Sequence, residues 1–185
     1  MRIVLIGIQG SGKSTQGSVI SGRLKIPFIS AGDIIRELMQ GTGPVSAYIK
    51  DIVNSGRLIP DEKTIEIFAT YLKKEEFRNG YIIDGFPRTI NQADEFPDPI
   101  DWVIYIETPD DVALDRIKKR QDSRRADETD AAIKRRIEAF HAHTKPLIEY
   151  YKEKGNLITV DGTQSVDAVS DSILIGMGEL ADNSI

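Results

Sequence analysis

Residues 7–15 read Gly-Ile-Gln-Gly-Ser-Gly-Lys-Ser-Thr and stand directly behind the apolar run Ile3-Val4-Leu5-Ile6. The spacing G-x-x-x-x-G-K-[ST], behind a strand and ahead of a helix, is that of a phosphate-binding loop. Such a loop must turn backbone N–H groups inward, and Gly7, Gly10 and Gly12 are expected to take backbone angles closed to other residues. A helix beginning near Lys13 adds the positive end of its dipole. Lys13 offers a point charge to the β- and γ-phosphates, and Ser14 or Thr15 offers a hydroxyl to Mg²⁺ or phosphate. A glycine-rich turn without a ligand would have to account separately for the strand, the spacing, the lysine and the hydroxyl. The loop implies a nucleoside triphosphate, held by Gly10, Ser11, Gly12, Lys13, Ser14 and Thr15.

The rest of the chain alternates strand and helix. Apolar runs predict strands at 2–7, 27–29, 81–84, 102–106 and 157–160. Helices are expected over about 13–24, 32–41, 45–55, 61–74, 110–120, 129–153 and 165–181, with breaks at Gly41-Thr42-Gly43-Pro44 and at Gly56…Pro60. Five short apolar strands separated by helices predict an α/β fold with a parallel sheet covered on both faces. Ligands of such sheets bind beyond the carboxyl ends of the strands, where Gly7 and Asp84 both fall.

Composition sets limits. The chain has 185 residues, 40% hydrophobic and 29% charged, as expected for one principal domain spanning 1–185. It has no cysteine, which excludes disulfides and a cysteine-built zinc site. With the first strand expected from Arg2, no leader segment is expected, and no apolar run approaches the ~20 residues of a membrane span. The expectation is a cytoplasmic protein without membrane contact. A formal net charge of −5 argues against general nucleic-acid binding. Yet residues 116–136 carry nine basic and four acidic side chains. A solvated face mixes its signs more evenly, and beside a phosphate loop this excess suits the gripping of an anion.

Asp84 ends an apolar run, where a carboxylate is awkward unless it has a partner. In phosphate-loop enzymes an aspartate at such a strand end holds Mg²⁺, directly or through water. The plainer alternative is a carboxylate that caps the following turn.

At Asp84-Gly85-Phe86-Pro87-Arg88 the chain resembles the adenylate kinases, within the nucleoside-monophosphate kinases. The likeness covers nearly the whole chain. Gly7–Gln16 resembles that family's loop, and Ser30-Ala31-Gly32-Asp33 with Arg36 resembles its monophosphate entry. Gly56-Arg57-Leu58-Ile59-Pro60-Asp61-Glu62 resembles the next segment. Gly80–Thr89 with Gln92 is the most specific stretch. Arg116…Arg120…Arg125…Asp127…Arg136 resembles the lid and its flanks, and Asp161-Gly162-Thr163-Gln164 the loop bordering the ATP base.

The resemblance implies a five-stranded P-loop kinase with a small helical monophosphate-binding insertion at about 30–60 and a short lid at 121–128. It implies reversible transfer of a phosphoryl group from ATP to AMP, with Mg²⁺ as cofactor, ADP as product and a monomeric enzyme. The short lid excludes the long form that can carry zinc. Lys13, Arg88, Arg120, Arg125 and Arg136 are then the catalytic cations. Arg116 and Gln164 border the ATP base. Ala31, Arg36, Arg57, Leu58, Ile59, Gly85, Arg88, Gln92, Arg125 and Arg136 contact AMP. Ser14, Thr15 and Asp84 are the Mg²⁺ candidates.

This assignment is chemically sound. Phosphoryl transfer asks the protein for position and charge neutralisation rather than covalent work, and AMP is itself an anion. Arginine suits the task because its planar fork takes phosphate oxygens in pairs and stays charged. The Gln92 amide can donate and accept at once, which matches the N1/N6 edge of adenine. Gln92 and Asp61-Glu62 favour AMP, whereas Ala31 resembles the UMP/CMP kinases. A kinase for UMP, CMP or another monophosphate is therefore the alternative, and a non-catalytic nucleotide-dependent binding protein a more distant one.

Three positions depart from the family pattern. Gln9 replaces a proline, and Ser14 replaces a glycine. The interval from Arg120 to Arg125 is one residue tight, and Arg125 rather than Arg124 keeps Ala126-Asp127 in register. The remaining marked residues have plain readings: His141 and His143 as helix surface, Trp102 as core, and Asp94, Glu95 and Asp98 as solvated loop.

Overall fold

The computed structural model describes residues 1–54, 59–119 and 130–179. Among these, β1 (Arg2–Ile6), β2 (Phe28–Ser30), β3 (Tyr81–Asp84), β4 (Trp102–Glu107) and β5 (Leu157–Asp161) form one sheet in the order β2-β3-β1-β4-β5, every pair parallel. The helices are α1 (Lys13–Leu24), α2 (Ala31–Gln40), α3 (Pro44–Asn54), α4 (Asp61–Tyr71), α5 (Ile90–Glu95), α6 (Asp110–Lys119), α7 (Asp130–Ala139), α8 (Pro146–Glu153) and α9 (Val166–Gly176).

Strand residues alternate between two cores, because successive side chains leave a strand on opposite faces. Ile3, Leu5, Ile82 and Ile104 pack with Ile20 of α1 and Val169 and Ile173 of α9. Val4, Ile6, Ile83 and Val103 pack with Ile34 of α2, Phe68 of α4 and Leu147 and Tyr151 of α8. With both faces covered, the central strands β1 and β3 have no room for a polar stripe and read as continuous apolar runs, whereas the edge strands β2 and β5 are only partly buried. Trp102 is half-buried against the first core, in agreement with its expected role.

The connection leaving β1 runs towards β2, while the one leaving β3 runs past β1 to β4. These neighbouring strands send their chains in opposite directions, so a crevice opens beyond their carboxyl ends. The register pairs Leu5 with Asp84, which sets the loop after β1 against the end of β3.

Helix starts follow local chemistry. Ser30, Thr89 and Ser165 each accept a hydrogen bond from the backbone three residues on, the usual N-cap arrangement. Several boundaries differ from expectation. The stretch 129–153 is not one helix. A π-type turn at Phe140–Thr144 separates α7 from α8, with Lys145 N donating to Phe140 O at 2.8 Å. Pro146 lacks an N–H for the helical ladder and crowds the preceding turn, and the wider turn accommodates it. Residues 90–95 form α5 rather than a loop, α4 ends at Tyr71, and α9 ends at Gly176. Asp94 accepts from Tyr150 Oη at 3.1 Å, and Asp98 pairs with Arg2 at 3.6 Å, so neither is simply solvated.

Of the expected 30–60 segment, the described part up to residue 54 carries α2 and α3. The expected lid at 121–128 lies outside the described residues, and no described helix is long and apolar enough to cross a membrane.

Candidate active site

The loop after β1 closes tightly on itself. Ser11 N donates to Ile8 O at 3.1 Å, and Gln16 N donates to Gly12 O at 2.9 Å as α1 begins. Gly10 and Gly12 have φ of 90° and 99°, which L side chains rarely adopt. Their surroundings differ. A Cβ on Gly10 would lie 2.5 Å from the Ala113 carbonyl oxygen of α6, whereas one on Gly12 would meet nothing within 4 Å. Gly10 thus lets the loop press against α6, and Gly12 faces open space where a phosphate can approach. Gly7 was expected to need an unusual angle. It does not, and its glycine is required by closeness instead: a Cβ there would sit 2.5 Å from Ser11 Oγ.

Lys13 Nζ folds back over the loop, donating to Gly7 O at 2.7 Å and Ile8 O at 2.9 Å. The two hydroxyls that the sequence left open are now distinguished. Ser14 Oγ lies 3.5 Å from Asp84 Oδ2, while Thr15 is exposed and its hydroxyl has no hydrogen-bond partner among the described residues. Ser14 and Asp84 are hard oxygen donors from two elements. Among the described residues no group of three or more His, Cys, Asp or Glu is arranged to hold a metal ion. One hydroxyl and one carboxylate suit Mg²⁺, which keeps most of its coordination shell for water and phosphate.

Beyond Asp84 the chain turns at Gly85, with φ of 85°. A Cβ there would come 3.1 Å from the Arg88 guanidinium and 3.3 Å from Ala31 Cβ, so Gly85, Ala31 and Arg88 form one wall. Arg88 Nε donates to Gly85 O at 2.7 Å, which leaves the outer guanidinium nitrogens directed away from that anchor. Arg88 remains open to water, yet protein encloses most of its surroundings. That burial draws its guanidinium below the ordinary value. Arg136 acts the same way, and Asp84 opposes it. Arg136 of α7 thus lies within electrostatic reach of Arg88 although 48 residues separate them. Cations that converge from separate elements near a phosphate loop suit the binding of an anion.

Gln92 is only 6% exposed. Its Oε1 accepts from Arg88 N at 2.8 Å and its Nε2 donates to Asp61 Oδ1 at 2.7 Å. On the neighbouring wall Arg36 is exposed and ion-paired with Asp33. Burial opposes it, yet hydrogen bonds from Ser30 and Arg36 hold the Asp33 carboxyl below its ordinary value. Ile59 is half-buried against the core.

The far side of the crevice carries Arg116 and the β5–α9 loop. Thr163 donates to Asp161 Oδ1 from its hydroxyl at 2.6 Å and its N–H at 2.8 Å, and Gln164 Nε2 lies 3.4 Å from Asp161 Oδ2. These bonds hold the Asp161 carboxyl below its ordinary value, with a smaller contribution from Arg116. Arg116 thus lies within electrostatic reach of the loop that carries Gln164. Gly162 packs so closely that a Cβ would lie 2.3 Å from Thr108 Oγ1. His141 sits 3.0 Å from Asp110, as surface pairing rather than part of the crevice.

At this end of the sheet Ser14 meets Asp84, and Asp84 and Arg136 both act electrostatically on Arg88, while Lys13 is held by the loop's own carbonyls. Arg57, Leu58, Arg120, Arg124 and Arg125 lie outside the described residues. Sequence reasoning passed over two participants, Thr89 and the side-chain role of Asp61. Thr89-Ile90-Asn91-Gln92 is a capping-box pattern, S/T-x-x-Q, and would have announced both α5 and the anchoring of Gln92.

A family model described as Adenylate kinase matches residues 5–156. The Adenylate kinase of Caldicellulosiruptor bescii is 35% identical over 213 residues, covering 96% of this chain and 99% of its own. That of Encephalitozoon cuniculi is 41% identical over 172 residues, covering 93% and 95% respectively. That of Clostridium perfringens strain SM101 is 35% identical over 208 residues, covering 94% and 96%.

Proposed function

The chain belongs to the adenylate kinase family, and on that premise we propose how its residues transfer a phosphoryl group from ATP to AMP. ATP lies with its phosphates in the 7–15 loop, its γ-phosphate beside Lys13 and its base towards Arg116 and Gln164. AMP lies along the wall of Ala31, Gly85, Arg88 and Gln92, with Arg36, Arg57, Leu58 and Ile59 completing its site. The observation carrying this reading is the Arg88–Arg136 pair beside Asp84. Two arginines from separate elements lie within electrostatic reach of each other and of Asp84 next to a phosphate loop, and a phosphoryl group passing between the two nucleotides would draw on both.

In the reaction a phosphate oxygen of AMP bonds to the γ-phosphorus, and the bond from that phosphorus to the β–γ bridging oxygen breaks, giving two ADP. Lys13 exchanges the Gly7 and Ile8 carbonyls for phosphate oxygens. Arg88 and Arg136 neutralise charge on the moving group and on AMP, with Arg120 and Arg125 assigned the same task from beyond the described residues. Ser14 and Asp84 are the residues that would hold the Mg²⁺ the family uses with ATP, and the ion would supply further charge neutralisation on the phosphates. We assign residues 30–60 as the monophosphate-binding insertion and 121–128 as a short lid that keeps water from the transferring group. A monomer in the cytoplasm, with no nucleic-acid or membrane partner, completes the reading.

The test is a coupled assay with saturating Mg-ATP and AMP, UMP, CMP or GMP in turn. The highest kcat/KM is expected with AMP. A preference for UMP or CMP would transfer the assignment to the pyrimidine nucleotide kinases, the reading that Ala31 favours.

A further inference from the structure

A glutamine amide is nearly symmetric in shape, so its two ends can exchange by a half-turn unless neighbours tell them apart. At Gln92 they do. The Arg88 N–H is a donor only, and it holds Oε1 at 2.8 Å. The Asp61 carboxylate is an acceptor only, and its Oδ1 holds Nε2 at 2.7 Å. Asp61 is in turn fixed by Thr89, whose hydroxyl donates to Oδ2 at 2.7 Å while accepting from Gln92 N at 3.1 Å. Asp61, Thr89 and Gln92 thus close a ring that joins the first residue of α4 to the first turn of α5. After these bonds Gln92 keeps one N–H and one acceptor lone pair, in a fixed order.

That order matters for a purine. The 6-amino edge of adenine presents a donor at N6 and an acceptor at N1. A 6-keto purine presents the reverse, an acceptor at O6 and a donor at N1. An amide free to turn over would serve both, and one locked in a single sense serves only one. We propose that Asp61 is a positioning residue that fixes the sense of the Gln92 amide and thereby selects a 6-amino over a 6-keto purine monophosphate. This rests on the reading that Gln92 meets the acceptor base. Asp61 supplies the stronger of the two constraints, because its bond to Nε2 is charge-assisted whereas that from Arg88 N is not.

The test is the ratio of kcat/KM for AMP to that for IMP, with saturating Mg-ATP. The wild-type ratio is expected to be large. Asp61→Asn keeps the shape of the side chain but can either donate or accept, so it no longer dictates the sense of Gln92. The ratio is expected to fall about tenfold or more, the size of one charge-assisted hydrogen bond. The change should come mainly through KM for the monophosphates, with KM for ATP steady. Asp61→Ala, with folding checked by circular dichroism, should show the same loss. In a Gln92→Ala background, Asp61→Asn should leave the ratio where Gln92→Ala put it, because the two act as a unit. Asp61 could instead serve only as a link between α4 and α5. Its variants would then lose thermal stability and use AMP and IMP equally worse, and an unchanged ratio would overturn the proposal. If Gln92→Ala collapses the ratio and Asp61→Asn does not, the proposal alone fails. If Gln92→Ala leaves the ratio intact, the placement of the base at Gln92 fails and takes the proposal with it.

Discussion

The hydroxyl of Ser14 lies 3.5 Å from Oδ2 of Asp84, although 70 positions separate the two in the chain. The contact follows from the β1–β3 register, which sets Leu5 against Asp84 and brings the first turn of α1 over the end of β3. Under the proposed reading it would offer the family's Mg-ATP a pair of oxygen donors drawn from two independent elements.

Asp84→Asn should therefore weaken metal use more than folding. The free Mg²⁺ concentration giving half-maximal activity should rise by about 10–100-fold, the usual cost of losing a carboxylate that orients a metal's ligands. Initial rates measured against free Mg²⁺ would show this. An unchanged Mg²⁺ dependence in a folded variant would remove Asp84 from the metal site.

Arg88 is anchored through Nε on Gly85 O at 2.7 Å, so its outer edge is presented as a rigid fork. Arg88→Ala should lower kcat/KM for AMP by about 100-fold or more, as expected for the loss of a preorganised charge at a transferring group. Arg88→Lys should recover little, since an ammonium cannot keep the Nε anchor and also grip two oxygens. Wild-type turnover in the lysine variant would show that a point charge suffices here.

Gly10 and Gly12 separate backbone strain from crowding. Gly12→Ala faces only its φ of 99°, with open space around the added methyl; its cost should be about 1–2 kcal/mol. Gly10→Ala shares the strained backbone and also drives Cβ to 2.5 Å from the Ala113 carbonyl oxygen. Overpacking should add about 1–3 kcal/mol. Thermal denaturation should thus rank wild type above Gly12→Ala and Gly12→Ala above Gly10→Ala; equal melting temperatures for the two variants would contradict the close approach of loop and α6.

Asp161 supplies a pH signature. Hydrogen bonds from the Thr163 hydroxyl and N–H hold its carboxyl below the ordinary value of 3.8. A depressed carboxylate contributes stability that is present above its unfolded value and is lost as pH falls through the folded one. In Thr163→Ala the hydroxyl bond is gone, while the backbone bond and the weaker Gln164 contact remain. The Asp161 midpoint, followed by carboxyl carbon NMR, should move up towards 3.8 and the loop should open at higher pH than in the wild type. A midpoint that does not move would mean that the Thr163 hydroxyl does not hold Asp161.

The phosphate loop, the five strands and most of the helices were legible because each is encoded locally. Ile3-Val4-Leu5-Ile6 can only be a buried strand, and Gly10 to Lys13 carry their backbone requirements in their own residues. The break at Phe140–Thr144 was less visible, since only Pro146 hints at it and its effect falls several residues upstream. Helix α5 was legible in principle, from Thr89 and Gln92 as a capping pair, but its six residues are too few for a periodic signal.

What the chain by itself determined was the chemistry on offer: a cradle for phosphate, a carboxylate at a strand end, several arginines and an amide at the acceptor wall. Local spacing could not say which of these meet. Ser14 rather than Thr15 reaches Asp84, Arg136 comes within electrostatic reach of Arg88, and Asp61 closes on Gln92 across 31 residues. Each of these meetings is decided by strand order, register and helix packing. Those are properties of the whole sheet, set by burying two apolar faces at once, and no short stretch of sequence carries them.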